Sequence, residues 1–223
     1  MNEALPRILP YALYVGFVLV GAALGTLAAS QPGAAFDSRW LYPLQAGVAA
    51  AAVAYFWRRY DELRGRAPAV PVIVASLAVG LGVFAAWVSI DAGWATFGEA
   101  AVSAPRRPDG TLDWTLVAPR LFGAVLVVPV VEELFWRSFV MRWLDRTDFP
   151  RQDPRHVGWR AFALTALVYG FAHSFWVAGI VAGLAYGWLY ARTASLWAPV
   201  IAHATANAAA GAWMVHKDAW QFW

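Results

Sequence analysis

Seven residues in the second half of the chain have the types and spacing to do chemistry in an apolar setting. Glu132 and Glu133 stand together in VVPVVEELFWRSFVMRW, and Arg137 follows Glu133 by four positions. His173 closes the run ALVYGFAH four residues after Tyr169, and in PVIAHATANAAAG Asn207 follows His203 at the same interval. Residues four apart share one helix face, and a Glu preceding its basic partner is the favourable order, so Glu133 and Arg137 can pair directly. Glu132 then points about 100° away, because an α-helix turns once in 3.6 residues, and is left for another partner. Charged groups at bilayer depth cost at least about 2.5–3.5 kcal/mol, which makes them functional candidates.

A carboxylate, two imidazoles and an amide that converge in a membrane suit hydrolysis. The carboxylate takes a proton from water, one histidine positions that water, and the other histidine and the amide N–H donate to the developing oxyanion. No Ser or Cys nucleophile is needed, and the chain has no cysteine. The HExxH and GxSxG patterns are absent. Each signal also has a plainer reading. An intramembrane histidine often serves only to bond a neighbouring helix, an i,i+4 Glu–Arg pair is often structural, and a proton-relay transporter or a non-catalytic immunity or scaffold protein with a polar core uses the same residue types. Glu132, His173 and His203 also match the His2Glu set of catalytic zinc. Asn207 is not a usual zinc ligand and would stand idle there, and helix geometry assigns Glu133 to Arg137. The sequence therefore favours a site with no metal cofactor, with zinc as the alternative.

The elements that position these groups are apolar runs. The 223 residues are 61% hydrophobic and 14% charged, with 14 Trp, whereas soluble domains hold roughly 45–50% and 25%. This excludes an ordinary soluble enzyme and a disordered chain. Runs at about 8–30, 40–57, 70–90, 115–143, 159–173, 175–191 and 196–215 predict an all-α, polytopic membrane helix bundle of about seven transmembrane helices. The alternation of a barrel strand is missing. The first run is too long and too weakly flanked by basic residues for a signal peptide. Pro129 predicts an interruption of the fourth run. Gly179, Gly183 and Gly187 form a small-residue stripe that lets another helix approach.

Charge placement predicts an N-in, C-out orientation, multi-pass in a cell membrane. With the N-terminus inside, inner segments hold Arg7, Arg58, Arg59, Arg64, Arg66, Arg142, Arg146, Arg151, Arg155, Arg160 and Arg192. Outer segments hold Arg39, Arg106, Arg107 and Lys217. The net charge of +3 reflects these loops rather than a nucleic-acid surface. From inner basic anchors, Glu132 lies roughly 15 Å deep, His203 roughly 16 Å and His173 roughly 20 Å at the helical rise. The three can meet at one level, and the site is expected to open inward. The chain divides into 1–114, three spans without a motif; 115–215, the core with the candidate site; and 216–223, a tail.

In order, Glu132-Glu133-Leu134-Phe135-Trp136-Arg137, Tyr169 to His173, and His203 to Asn207 resemble the EExxxR, FxxxH and HxxxN or HxxxB motifs of one family. These are the type 2 CAAX prenyl proteases and bacteriocin-processing (CPBP) intramembrane glutamic proteases. The resemblance covers about 115–215 and departs at Tyr169, where Phe is usual. It implies a membrane endopeptidase in which Glu132 activates water with help from His173. His203 and Asn207 would form the oxyanion site, with Glu133, Arg137 and Tyr169 in support. The implied partners are the lipid bilayer and a membrane-presented protein or peptide substrate; a lipidated tail is the family's eukaryotic-style substrate. The segment EELFWRSFVMRW also looks like the bacterial subgroup associated with exosortase and PEP-CTERM sorting, which implies a bacterial inner or plasma membrane.

Overall fold

The computed structural model describes residues 3–30, 40–90, 92–97 and 104–222. Seven helices longer than two turns follow one another in these residues: α1 (Leu5–Ser30), α2 (Leu41–Tyr55), α3 (Val70–Ser89), α4 (Trp114–Asp145), α5 (Trp159–Phe171), α6 (Trp176–Thr193) and α7 (Trp197–Lys217). Strands are absent among the described residues; one isolated antiparallel bridge joins Arg106 and Leu112. Leu5–Leu27, Val70–Ser89 and Trp114–Asp145 are long and apolar enough to cross a membrane. The other runs read as spans also fold as helices, but α2 has 15 residues and α5 only 13.

Local chemistry sets the ends. Asp113 caps α4 by accepting from the Thr115 N–H at 3.1 Å. Pro71 stands in the first turn of α3, where a missing N–H costs nothing. Ala194 and Asp218 turn left-handed, at φ 53° and 54°, to end α6 and α7.

The helices pack as pairs around α4. α1 runs along α2, α3 along α7 and α5 along α6, while α4 touches α1, α2, α5 and α7. The glycine stripe closes the α5–α6 hairpin: a Cβ on Gly179 would sit 2.9 Å from Gly170 Cα, and one on Gly183 2.9 Å from Ala166 Cα. Gly80 does the same for α3 on α7, where an added Cβ would land on the carbonyl oxygen of Ala202. Outward faces remain apolar, with Leu19, Val70 and Leu81 more than half exposed, as lipid-facing positions must be.

The helix break expected at Pro129 is absent. Instead α4 stays continuous and widens to π geometry over Gly123–Val127, where Val128 N–H reaches back five residues to Gly123 O. Proline clashes with the carbonyl four residues before it, and a wider turn relieves that contact. A second π segment spans Leu134–Met141, so Glu132 and Glu133 stand in a short α stretch, Val128–Glu133, between two wide turns.

At the end of the bundle that carries the 58–66 and 146–160 loops, two buried arginines share one carboxylate. Arg7 Nη2 donates to Glu62 Oε2 at 2.9 Å and Arg7 Nε to Ser138 Oγ at 2.8 Å. Arg142 Nη2 donates to Glu62 Oε1 and, at 2.8 Å, to Ser138 Oγ. Burial alone pushes the Glu62 carboxyl up, but Arg7, Arg142 and the Ser138 hydroxyl together hold it below its ordinary value. Around this cluster Phe56, Tyr60, Leu63, Leu134, Met141, Tyr190, Leu196 and Val200 form one apolar core.

Candidate active site

Glu133 is fully buried at 0% exposure and bound on two sides. Arg137 reaches it with Nη1 at 3.1 Å from Oε1 and Nε at 3.1 Å from Oε2. The Arg137 guanidinium lies 4.3 Å from the Tyr169 ring centre and 5.3 Å from that of Tyr186, and donates to Gly183 O at 3.4 Å. His203 brings Nδ1 within 3.0 Å of Glu133 Oε1 and stacks on Tyr186 at 5.1 Å. A carboxylate beside an arginine only accepts, so His203 Nδ1 carries the proton. Its Nε2 can donate only when both ring nitrogens carry protons.

Glu132 faces elsewhere. It is 7% exposed, and its Oε2 is buried with no hydrogen-bond partner among the described residues. The nearest basic atom is His173 Nε2, 3.9 Å away. His173 follows the end of α5, past the last helical residue Phe171, so it stands on the loop and not on the helix face assigned from spacing. Its ring is fixed from both sides. Nδ1 is 2.7 Å from the Tyr169 carbonyl oxygen, and Trp87 of α3 meets the ring edge-on at 5.7 Å. A carbonyl only accepts, so Nδ1 holds the proton and Nε2 of the neutral ring is an acceptor turned toward Glu132. A water about 2.8 Å from each acceptor closes a triangle with an angle near 90° at its oxygen, within the range of hydrogen-bond geometry. Both its hydrogens are then engaged and its lone pairs are free.

Asn207 Nδ2 donates to the Ala124 carbonyl oxygen at 2.7 Å. In the π register that oxygen looks to residue 129, and Pro129 has no N–H to give. One amide hydrogen is spent here and one remains. Glu132, His173, His203, Asn207 and Tyr169 all line a single cavity of about 600 Å³.

The remaining walls come from residues to which spacing assigned no role. Tyr14 of α1, Tyr42 of α2 and Trp87 of α3 bring the motif-free first half of the chain into the cavity, and Arg120 stands over the Tyr42 ring at 5.2 Å. The available signal was a phenol or indole inside an otherwise aliphatic span. The cavity also opens the other way from the sequence expectation. From Glu132 its walls run to the ends of α3 and α7 and the starts of α2 and α4, away from the basic loops.

Of the three conceivable zinc ligands, His203 turns to Glu133 and only His173 turns to Glu132. Among the described residues no group of three His, Cys, Asp or Glu is placed to hold a metal ion.

Residues 114–209 match a family model described as type II CAAX prenyl endopeptidase Rce1-like. The matched stretch starts with α4 and takes in Glu132, Arg137, His173, His203 and Asn207. No curated protein and no solved structure matches the chain.

Proposed function

Starting from a chain whose residues 114–209 carry the Rce1-like family segment, we propose that this membrane peptidase cleaves by a glutamate-activated water, without a metal ion. The observation that carries the reading is the 3.9 Å approach of His173 Nε2 to the otherwise unpartnered Glu132 carboxylate inside the cavity. Water held between the two attacks the scissile carbonyl carbon as Glu132 takes its proton. The carbonyl oxygen becomes an oxyanion held by His203 Nε2–H and the second Asn207 amide hydrogen. Collapse of the tetrahedral intermediate breaks the C–N bond, and Glu132 passes its proton to the leaving amine. Glu133, Arg137 and Tyr186 hold His203 in orientation, and Tyr169 supports Arg137 and His173. The substrate is a protein segment presented at or in the membrane, and the chain sits multi-pass, N-in and C-out.

The test is cleavage of candidate membrane substrates by purified protein in lipid, comparing wild type with Glu132→Gln before and after dialysis against a strong chelator. Loss of cleavage in the folded variant, with full activity of chelated wild type, is the expected result. Full activity of Glu132→Gln overturns the role of the carboxylate. Stoichiometric zinc, with activity lost on its removal and restored on its return, replaces the mechanism with a metallopeptidase one.

A further inference from the structure

The two ends of the bundle differ in packing and in charge, and the cavity communicates with one of them. On α7 the lining advances from His203 through Asn207 and Ala210 to Met214, toward the helix C-terminus. On α4 it retreats from Glu132 through Val128 and Ala124 to Arg120, toward the N-terminus of that antiparallel helix. At the rim stand Ser174 and Gln221, both exposed. Phe222 lies there too, stacked on Phe175 at 5.2 Å.

In the opposite direction the path is closed. Leu134 and Leu196 at 0% and Met141 at 1% exposure belong there to one packed apolar core with Phe56, Tyr60 and Tyr190. Behind them the Arg7–Glu62–Arg142 cluster fills the space between α1, α4 and the 61–64 turn. A peptide entering from that side would have to break a buried network of two cations and an anion, the kind of rupture that strands charge.

The closed end carries the cation excess. Arg58, Arg64, Arg66, Arg146, Arg151 and Arg155 are exposed there, with Arg64, Arg151 and Arg155 lying 3.8, 3.2 and 3.7 Å from Asp61, Asp148 and Asp153. At the open end the cations are fewer: Arg106, paired with Asp218 at 2.6 Å, Arg107, 3.7 Å from Asp113, and Lys217, 5.6 Å from the Trp213 ring centre; Arg39 lies outside the described residues. Arginine-rich short loops stay on the cytoplasmic side.

We propose that the cavity is loaded from the extracytoplasmic face, so that the substrate is a membrane-anchored protein segment whose cleavage site already lies across the bilayer. This rests on the peptidase reading above, and it excludes a cytosolic tail as the natural substrate.

Because the chain has no cysteine, single cysteines report access without background. Ser174→Cys and Gln221→Cys mark the rim, and Ala67→Cys marks the opposite loop. The probe is a membrane-impermeant maleimide added to sealed spheroplasts and, separately, to permeabilised ones. The expected result is complete labelling of both rim positions in sealed spheroplasts, with Ala67→Cys labelled only after permeabilisation. The reverse pattern, or equal labelling of both faces in sealed spheroplasts, overturns the proposal. So does a rim that stays unlabelled after permeabilisation in a protein that remains monodisperse. Labelling reads access alone, so its failure is distinct from a failure of the Glu132→Gln cleavage test.

Discussion

The side-chain amide of Asn207 donates to the backbone carbonyl of Ala124 across 2.7 Å, and the residue that would otherwise serve this carbonyl in its π turn is Pro129. A proline in one helix thereby creates the acceptor that orients a catalytic candidate on another. Asn207→Ala should cost about 1–2 kcal/mol by stranding the carbonyl. In a Pro129→Ala background, where residue 129 regains an N–H, that cost should shrink by about 1 kcal/mol. Unfolding of the four proteins in mixed micelles measures the cycle; an unchanged cost of Asn207→Ala would break the link.

Glu132 and Glu133 should separate by phenotype. Among the described residues Glu132 pairs with no buried arginine or lysine, so Glu132→Gln should keep its melting temperature and lose about 10²- to 10⁴-fold in turnover. Glu133→Gln leaves Arg137 buried and removes the anion that holds His203, and should destabilise by about 3–5 kcal/mol. Parallel melting curves and turnover decide this; equal stability losses would contradict the division.

Glu62 gives the closed end an acid sensitivity. Its carboxyl is held below its ordinary value of 4.5 against the pull of burial, chiefly by Arg7 and Arg142. A depressed folded value means that the stabilisation is fully present above 4.5 and is lost as pH falls through the folded value. The stability gap between wild type and Glu62→Gln should therefore narrow on acidification. Unfolding curves at a series of pH values report it, and a gap that widens toward acid is the contrary outcome.

Two glycines on α3 form a matched pair. A methyl on Gly80 would meet Ala202 O and lie 2.7 Å from Thr205 Cβ, whereas one on Gly82 meets nothing within 4 Å. Gly82→Ala should be neutral or stabilise by about 0.5–1 kcal/mol through helix propensity. Gly80→Ala should destabilise by about 1–3 kcal/mol and lower activity, because it pushes on the helix that carries His203. Equal behaviour of the two variants would remove the close approach as the reason for Gly80.

Helix type and the grouping of chemical residues were legible because apolar runs and four-residue intervals are local signals. Glu133 does meet Arg137, and Glu132 does stand apart from it. The direction of opening was not legible. Depth counted from Arg142 or Arg192 fixes a level along the axis but says nothing about which end is filled, and Leu134 and Val128 look alike in sequence. Glu62 was equally hidden, because a glutamate in an arginine-rich loop reads as a solvated charge until Arg7 is brought to it from 55 positions away. Pro129 read as a break because a proline removes a hydrogen bond; the side chain that compensates lies on another helix.

The brevity of α5 has a consequence for the lipids around it. Its 13 residues rise about 20 Å, roughly 10 Å less than a hydrocarbon core. Leu164, Leu167, Val168 and Phe171 face outward along it, and Phe97 closes its far end by stacking on Phe171 and Trp176. Acyl chains touching this face must shorten or splay, at fractions of a kcal/mol per Å of mismatch. The mismatch predicts a dimple of thin bilayer beside the His173 loop, and turnover in reconstituted membranes should rise as the acyl chains are shortened.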